Sequence, residues 1–184
     1  MSTPIARLRR EEALLLVVDV QERLLPAMFE AERLARQCAL LARAAQQLNI
    51  PVVATEQYPE KLGATIAPLA ELVQGTMPIA KMLFSACTPA VMSTLQESKR
   101  RSVVLCGVET HVCVMQTALD LIENGFQVFV PQDAVSSRYE SDKRIGLERM
   151  KSVGAVPCST EMVVFELLRE AGTPEFKALL PFIK

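Results

Sequence analysis

The chain has 184 residues, which suits one domain, because a domain usually takes roughly 100 to 200 residues. Half of the residues are hydrophobic (50%) and 22% are charged, a composition that fills a core and excludes disordered and collagen-like chains. The formal net charge is -1, which argues against a nucleic-acid-binding protein, since such a domain carries a basic patch. We therefore expect a globular domain with a small-molecule partner and no nucleic-acid partner.

Short runs rich in Val and Leu are separated by longer helical patterns. The first strand is predicted at 13–19, and four further segments have the same character: 51–55, 102–106, 127–130 and 155–158. Apolar runs joined by helices are typical of parallel strands that helices cover on both faces. The pattern predicts an α/β fold with about five or six parallel strands.

Helical patterns fill the intervals between these strands. In the first interval, five apolar residues recur at steps of three or four, the spacing of one helix face: Leu34, Cys38, Leu41, Ala45 and Leu48. A second helix begins near Thr110 and ends at Asn124-Gly125, where glycine suits a left-handed terminating residue. Further helices are predicted at 89–99, 141–153, 159–171 and 174–182. We expect one domain over 1–184, with an N-terminal arm (1–12) and a C-terminal helix (172–184).

No segment of the sequence suggests export or membrane insertion. The longest apolar run, 13–18, stops at Asp19 and is shorter than the roughly 18 to 20 residues that span a bilayer. The basic N-terminal residues are followed at once by glutamates, an order that does not suit a signal peptide. The five cysteines are an odd number at irregular spacing, which indicates reduced thiols. These features predict a cytoplasmic protein with no membrane partner.

One cysteine is the candidate nucleophile. His111 is the single histidine, and the sequence has no Cys-x-x-Cys pair, no glycine-rich nucleotide loop and no G-x-S-x-G, so we expect no metal, no nucleotide cofactor and no serine nucleophile. Cys113 follows a buried strand and opens a helix, where unpaired backbone N–H groups favour a thiolate and can bind an oxyanion. The alternative is a buried structural cysteine.

A cysteine nucleophile needs a base to accept its proton. His111 lies two residues before Cys113 on the same turn, so the two side chains do not face each other, and we interpret His111 as structural or pocket-lining. Asp19 ends the first strand, and partial burial would raise its pKa toward that of a proton carrier; the alternative is a turn cap that pairs with Arg23. Lys81, within an apolar stretch, either meets Asp19 near the thiol or extends to solvent.

Three segments, in this order, resemble the isochorismatase-like cysteine hydrolase superfamily. A strand that ends in Asp-x-Gln is present as Leu15-Leu-Val-Val-Asp19-Val-Gln21. A lysine followed four residues later by Ser-Ala is present as Lys81-Met-Leu-Phe-Ser85-Ala86, and the nucleophile segment as Gly107-Val-Glu-Thr-His-Val-Cys113. The segments 55–59 and 133–137 look like the subgroup of isochorismatase-domain-containing proteins. The resemblance extends from about residue 14 to 164 and covers most of the chain.

The resemblance implies a Rossmann-like, three-layer αβα sandwich with a six-stranded parallel sheet and a catalytic triad of Asp19, Lys81 and Cys113. It also implies an oxyanion hole at the backbone N–H groups of Glu109 and Cys113, and a cis peptide bond between Val108 and Glu109. Homo-oligomers (dimer, tetramer or larger) are common in the superfamily, and no cofactor is implied. The residues expected to line the pocket by position are Gln21, Leu24, Gln57, Tyr58 and Phe84.

Two differences from other superfamily members narrow the activity. Metal-dependent nicotinamidases carry an Asp-x-His cluster after the second strand, whereas 55–63 contains no histidine. Isochorismatases proper carry glycine at the position of Cys113, so a cysteine there favours cleavage of a C–N bond in a small amide through an acyl-cysteine intermediate. Two alternatives remain open. One is vinyl-ether hydrolysis with Asp19 as the acid, and the other is a binding or thiol-sensing protein that keeps the triad without using it.

Overall fold

A parallel sheet forms the centre of the computed structural model, which describes residues 6–73 and 77–183. Its strands are β1 (Ala13–Val18), β2 (Val52–Gln57), β3 (Ile79–Lys81), β4 (Ser102–Val108), β5 (Gln127–Pro131), β6 (Val135–Ser136) and β7 (Val156–Cys158). The order across the sheet is β3-β2-β1-β4-β5-β7, with β6 paired to β4, and the pairs are parallel. The expected α/β fold with six parallel strands is confirmed, and the two-residue β6 is an addition to it.

Helices connect the strands and cover both faces of the sheet. Those in the described residues are α1 (Ala31–Gln47), α2 (Pro59–Leu62), α3 (Ala67–Leu72), α4 (Pro89–Glu97), α5 (Met115–Glu123), α6 (Glu140–Ser152), α7 (Thr160–Leu168) and α8 (Pro174–Ile183). A 3-10 helix spans Leu25–Ala27. The helix expected from Thr110 begins as a π-helix, Thr110–Val114, and continues as α5. The five apolar residues that predicted the first crossover helix are all buried in or next to α1.

Two apolar cores lie on opposite faces of the sheet. Successive side chains of a strand point to opposite faces, and β1, which is buried along its whole length, contributes to both cores. Leu15 and Val17 pack in the core that α1 and α7 cover. Leu14 and Leu16 pack in the core that α4 and α5 cover. This alternation produces the three-layer sandwich.

The chain ends that the structure describes pack against the domain. Leu8 is fully buried, and its backbone N–H donates to a side-chain oxygen of Glu166 at 2.9 Å. The part of the expected arm from residue 6 onward is therefore attached to the core, while residues 1–5, and Lys184 of the expected C-terminal helix, lie outside the described residues. Leu179 anchors α8 in a small apolar cluster. Among the described helices, none has the length and apolar character needed to cross a bilayer.

The two central strands approach each other most closely at their carboxyl ends. Gly107 in β4 has a φ of 118°, and a Cβ at this position would lie 2.0 Å from the carbonyl oxygen of Val18 in β1. Only glycine fits such an approach of backbone to backbone. In the other strand, Asp19 comes directly after Val18, and its φ of 55° turns the chain away from the sheet. The segments that leave β1 and β4 therefore begin side by side at one edge.

Candidate active site

Three polar side chains that leave different strands meet at the carboxyl edge of the sheet. Asp19 follows β1, Lys81 ends β3, and Cys113 lies in the π-helix after β4. The Nζ atom of Lys81 is 2.6 Å from Oδ2 of Asp19, and neither side chain is exposed. The thiol of Cys113, which is 7% exposed, donates a hydrogen bond to the carboxylate of Asp19. Asp19 therefore links the cation to the thiol.

The carboxylate of Asp19 is held by three donors. In addition to Lys81 and the thiol of Cys113, the hydroxyl of Thr55 donates to Oδ1 at 2.8 Å. Burial raises the pKa of Asp19, and the charge of Lys81 and the hydrogen bonds from its donors offset this effect only in part. The alternative pairing with Arg23 is not found, because that guanidinium donates to a backbone carbonyl. A carboxyl group with a raised pKa is suited to accept and return a proton.

The ammonium group of Lys81 has four oxygen acceptors. Besides Asp19, it donates to Oε1 of Gln57 at 2.8 Å and to the backbone carbonyls of Leu83 and Phe84 at 3.2 and 3.1 Å. A buried charge is tolerated when it is paired and hydrogen-bonded in this way. Of the two interpretations of Lys81, the structure supports the one in which it meets Asp19 near the thiol.

The electrostatic environment of Cys113 differs from the sequence expectation. Burial, and to a lesser extent the nearby carboxylate of Asp19, raises the pKa of the thiol to about 12. The charge of Lys81 and the backbone N–H of Glu109 lower it, but they do not outweigh burial. Burial therefore opposes the thiolate that the helix start was expected to favour. A raised pKa corresponds to a neutral thiol beside the carboxylate of Asp19.

The turn between β4 and the π-helix presents a backbone donor to the sulfur. The peptide bond between Val108 and Glu109 is cis, and the N–H of Glu109 hydrogen-bonds with the sulfur of Cys113. The Glu109 carboxylate accepts two hydrogen bonds from Arg138, from Nε at 3.0 Å and from the backbone N–H at 3.2 Å. This ion pair between Glu109 and Arg138 lies on the solvent side of the turn.

Comparison with known proteins identifies the family of this site. Residues 13–162 match the model of the isochorismatase domain. The chain belongs to the isochorismatase family. Isochorismatase domain-containing protein 2A of Mus musculus is 38% identical over 181 residues, which cover 98% of this chain and 86% of the relative.

Solved structures of relatives share the fold of this isochorismatase-family chain. The MAR1 ribonuclease of Caenorhabditis elegans has a TM-score of 0.92 at 36% identity, and the match covers 97% of this chain and 92% of the ribonuclease. The YcaC gene product of Escherichia coli, an octameric hydrolase of unknown specificity, has a TM-score of 0.92 at 26% identity, with coverage of 98% and 92%. The α/β architecture inferred from the sequence is thus the one that the family shares.

His111 links the π-helix that contains Cys113 to neighbouring segments. Its Nδ1 is 2.9 Å from the hydroxyl of Ser137, and its Nε2 is 3.9 Å from Oδ2 of Asp142 on α6. Gly146 of α6 lies against the same segment, where a Cβ would be 3.0 Å from the Cα of His111. These contacts agree with the structural interpretation of the histidine, and they place α6 as the support of the π-helix that carries Cys113.

A hydroxyl that sequence reasoning missed joins the loop after β3 to the helical segment that contains Cys113. The hydroxyl of Thr117 accepts a hydrogen bond from the N–H of Ala86 at 2.8 Å and donates to the carbonyl of Cys113 at 2.6 Å. Nearby, the hydroxyl of Ser85 donates to Asp120 on the same helix at 2.5 Å. The available signal was the presence of Thr117 and Asp120 among the apolar residues of α5.

Gln21 has a different position from the one expected. It is fully buried, and its amide group bridges two loops: Nε2 donates to the carbonyls of Gln57 and Gly63 at 3.0 and 2.7 Å, and Oε1 accepts from the N–H of Gln57 at 2.8 Å. Because none of its surface is accessible, Gln21 does not line a pocket in this structure. It fixes the ends of β1 and β2 relative to each other.

The other four expected pocket residues differ in their positions relative to Lys81. Gln57 and Phe84 contact the ammonium of Lys81 directly, and Phe84 is 56% exposed. Tyr58 lines a cavity of about 280 Å³ beside Lys81. Leu24 packs on the core that α1 covers. Within 6–73 and 77–183, no group of three or more His, Cys, Asp or Glu residues is placed to hold a metal ion.

Proposed function

We propose that this isochorismatase-family protein is a cysteine hydrolase that cleaves the C–N bond of a small amide through an acyl-cysteine intermediate. The observation that carries the proposal is the hydrogen-bonded line from Lys81 through Asp19 to Cys113. It combines a nucleophile, a carboxylate that can accept its proton and a buried cation that orients the carboxylate. Family membership supports the hydrolase class, while the bond type and the substrate are the proposal.

In the proposed acylation, the sulfur of Cys113 attacks the amide carbonyl carbon while the thiol proton passes to Asp19. The carbonyl oxygen becomes an oxyanion, which the backbone N–H groups of Glu109 and Cys113 would bind. The C–N bond then breaks, the proton of Asp19 moves to the leaving nitrogen, and an amine or ammonia departs. Because the pKa of the thiol is about 12, its proton is removed during the attack rather than before it.

In the proposed deacylation, water cleaves the thioester. Asp19 accepts a proton from the water as its oxygen adds to the carbonyl carbon, the C–S bond breaks, and the proton returns to the sulfur of Cys113. The products are a carboxylic acid and the regenerated thiol, so the balance is amide plus water to acid plus amine. Lys81 keeps the carboxylate in place during both steps.

The surroundings of the triad support three further parts of the proposal. Gln57, Tyr58 and Phe84 lie around Lys81 and would contact a small, uncharged substrate. Met82 and Leu83 are 66% and 63% exposed beside the same site, an apolar surface that a homo-oligomer would cover, and the Escherichia coli relative is an octamer. The cysteines are all free thiols, which fits the proposed cytoplasmic location.

The test is ammonia release from a panel of small primary amides. We expect turnover by the wild type with a mass-detectable acyl group on Cys113, and no turnover by Cys113→Ala or Asp19→Asn. Cys87→Ala is the matched control, because it removes a partly buried thiol outside the triad and should retain activity. Activity in Cys113→Ala, or a wild type that turns over nothing in the panel, contradicts the amide proposal.

A second candidate function is vinyl-ether hydrolysis with Asp19 as the acid. The observation that favours it is the raised pKa of Asp19, because a protonated carboxyl group is the form that donates a proton. This function predicts that Cys113→Ala remains active while Asp19→Asn is inactive, the pattern that separates it from amide hydrolysis. RNA belongs in the same panel as a control substrate, because the Caenorhabditis elegans relative is a ribonuclease.

A further inference from the structure

A second crevice opens at the carboxyl edge of the sheet, beside the ends of β5 and β7. It consists of two adjoining cavities of about 420 and about 570 Å³, which share Gln132, Lys143 and Leu147 as lining residues. We call the two cavities together the Lys143 groove. The triad residues are not among those that line it. Crevices outside the carboxyl ends of strands are the usual ligand sites of open α/β sheets, and this size suits a small metabolite.

The ammonium group at the centre of the groove has no direct partner. Among the described residues, the ammonium group of Lys143 makes no ion pair or hydrogen bond, although its backbone N–H donates to the carbonyl of Tyr139 at 3.1 Å. The charged groups that act most strongly on the ammonium group are Glu30, Arg33, Asp133 and Glu140. Arg144, Glu148 and Lys151 also line the groove. Two of the carboxylates are engaged elsewhere, since Glu30 pairs with Arg33 at 3.3 Å and Asp133 accepts from the first N–H of α7 at 2.8 Å. Burial lowers the pKa of Lys143, and Arg33 adds to this effect.

The walls of the Lys143 groove are fixed by backbone contacts. The N–H of Phe29 donates to the carbonyl of Ser137 at 2.8 Å, and the hydroxyl of Ser136 donates to the carbonyl of Phe29 at 2.6 Å. On the other side, the N–H of Gln132 donates to the carbonyl of Cys158 at 2.9 Å. A ligand would therefore enter a preformed groove and would not have to order it, which reduces the entropic cost of binding.

We propose that the Lys143 groove is a second ligand site, separate from the triad, for a small monocarboxylate with an apolar body. The ligand carboxylate pairs with Lys143, its apolar part contacts Phe29 and Leu147, and the side-chain amide of Gln132 supplies a hydrogen bond. A partly buried ammonium group without a direct hydrogen-bond partner is less well stabilised than a paired one, and a ligand carboxylate supplies that partner. A monoanion is favoured over a phosphate dianion because the carboxylates of Glu30, Asp133 and Glu140 lie near Lys143 and repel a second negative charge more strongly.

Calorimetric titration with benzoate tests the proposal on the full chain. Lys143→Met keeps an apolar side chain of similar length but removes the charge, and we expect it to bind benzoate at least about tenfold more weakly than the wild type. Arg149→Met is the matched control, because it removes one positive charge from the same helix outside the groove, and it should bind like the wild type. Benzyl alcohol, the uncharged analogue, should bind the wild type at least about tenfold more weakly than benzoate.

A labelling experiment on the wild type avoids any dependence on the folding of a variant. Benzoate should slow the acetylation of Lys143 by an amine-reactive ester, while the exposed Lys177 in the same sample is unaffected, as mass spectrometry of the peptides would show. Three results would each overturn the proposal: no saturable benzoate binding, equal binding by Lys143→Met and the wild type, or equal binding of benzyl alcohol and benzoate. None of them depends on whether Cys113 is catalytic.

Discussion

Lys81 is buried and Lys143 is partly buried, and their ammonium groups have different surroundings. Lys81 has four oxygen acceptors, one of them the carboxylate of Asp19 at 2.6 Å. The ammonium group of Lys143 has no ion pair or hydrogen bond within the part of the chain that the structure describes. A fully satisfied buried charge acts as a fixed structural element, whereas an unsatisfied one leaves an interaction available for a ligand. The comparison therefore distinguishes a lysine whose partners are all within the protein from a lysine that can still bind a ligand.

The largest expected effect is the loss of stability when the Lys81–Asp19 pair is broken. Lys81→Met leaves Asp19 buried without its cation, so we expect the free energy of unfolding to fall by about 3 to 5 kcal/mol. Lys143→Met breaks no pair and should change it by less than about 1 kcal/mol. Urea denaturation at neutral pH measures both values. Equal losses in the two variants would remove the distinction between the two lysines.

The pH dependence of stability gives a further test of the Lys81–Asp19 pair. The pKa of Asp19 is already above its unfolded value, and removal of Lys81 raises it further. The folded state then binds a proton more readily than the unfolded state, so stability falls as pH rises from about 4 through the folded pKa. We expect the stability gap between Lys81→Met and the wild type to narrow as pH decreases toward 4.

A second effect concerns the thiol that the Lys81–Asp19 pair faces. The charge of Asp19 and the hydrogen bond that it accepts raise the pKa of Cys113, so Asp19→Asn should alkylate faster with iodoacetamide at pH 8, by about tenfold for each unit that the pKa falls. Thr55→Val removes a hydrogen bond from Asp19 but keeps its charge, and should label nearly as slowly as the wild type. Peptide mass spectrometry gives the rates. Unchanged labelling in Asp19→Asn would contradict the assigned electrostatics.

Helix α6 connects the two sites of the comparison, since it carries both Lys143 and Gly146. In Gly146→Ala, the new Cβ would lie 3.0 Å from the Cα of His111, so the π-helix must shift, and we expect a loss of about 1 to 2 kcal/mol in stability. The hydrolase activity should fall by about tenfold, since small misplacements of a nucleophile are costly. Arg149→Ala on the exposed face of α6 is the control. A fully active Gly146→Ala would show that α6 does not position Cys113.

The smallest effect is expected at the outer ion pair. Arg138→Met removes the guanidinium that holds the carboxylate of Glu109, and because this arginine is exposed, stability should hardly change. If the pair positions the N–H of Glu109, kcat for the amide substrate should fall by about threefold with an unchanged KM. Arg138→Lys, which keeps the charge, should recover part of the loss. A change in KM alone would instead assign Arg138 to substrate binding.

The sequence predicted the elements whose apolar patterns are long enough to be distinctive. Continuous apolar runs located β1 and β4, and a helical stripe located α1. The strand β3 was missed because it has three residues and one of them is Lys81. The start of the second helix was placed correctly at Thr110, but not its π-helical turn, because apolar periodicity does not distinguish a single wide turn from an α-helical one.

At the site, the residue pattern proposed Asp19, Lys81 and Cys113 as candidates but left the contact between Lys81 and Asp19 as one of two alternatives. A side chain at a strand end is easily recognised, whereas the contact between Lys81 and Asp19 depends on the order of strands in the sheet. The raised pKa of Cys113 follows from burial by distant residues. Gln21 was misplaced for the same reason, because its partners lie more than 30 residues away, at separations of 36 and 42.

In the loop after β3, the backbone carbonyls and the side chains of Leu83 and Phe84 have independent roles. Lys81 contacts Leu83 and Phe84 only through their backbone carbonyls, while their side chains remain exposed. Every amino acid supplies a carbonyl oxygen, so both positions can accept other side chains without depriving the lysine of its acceptors. Mutations at these two positions can therefore accumulate between relatives and alter what the surface beside the triad recognises, while the buried charges stay as they are.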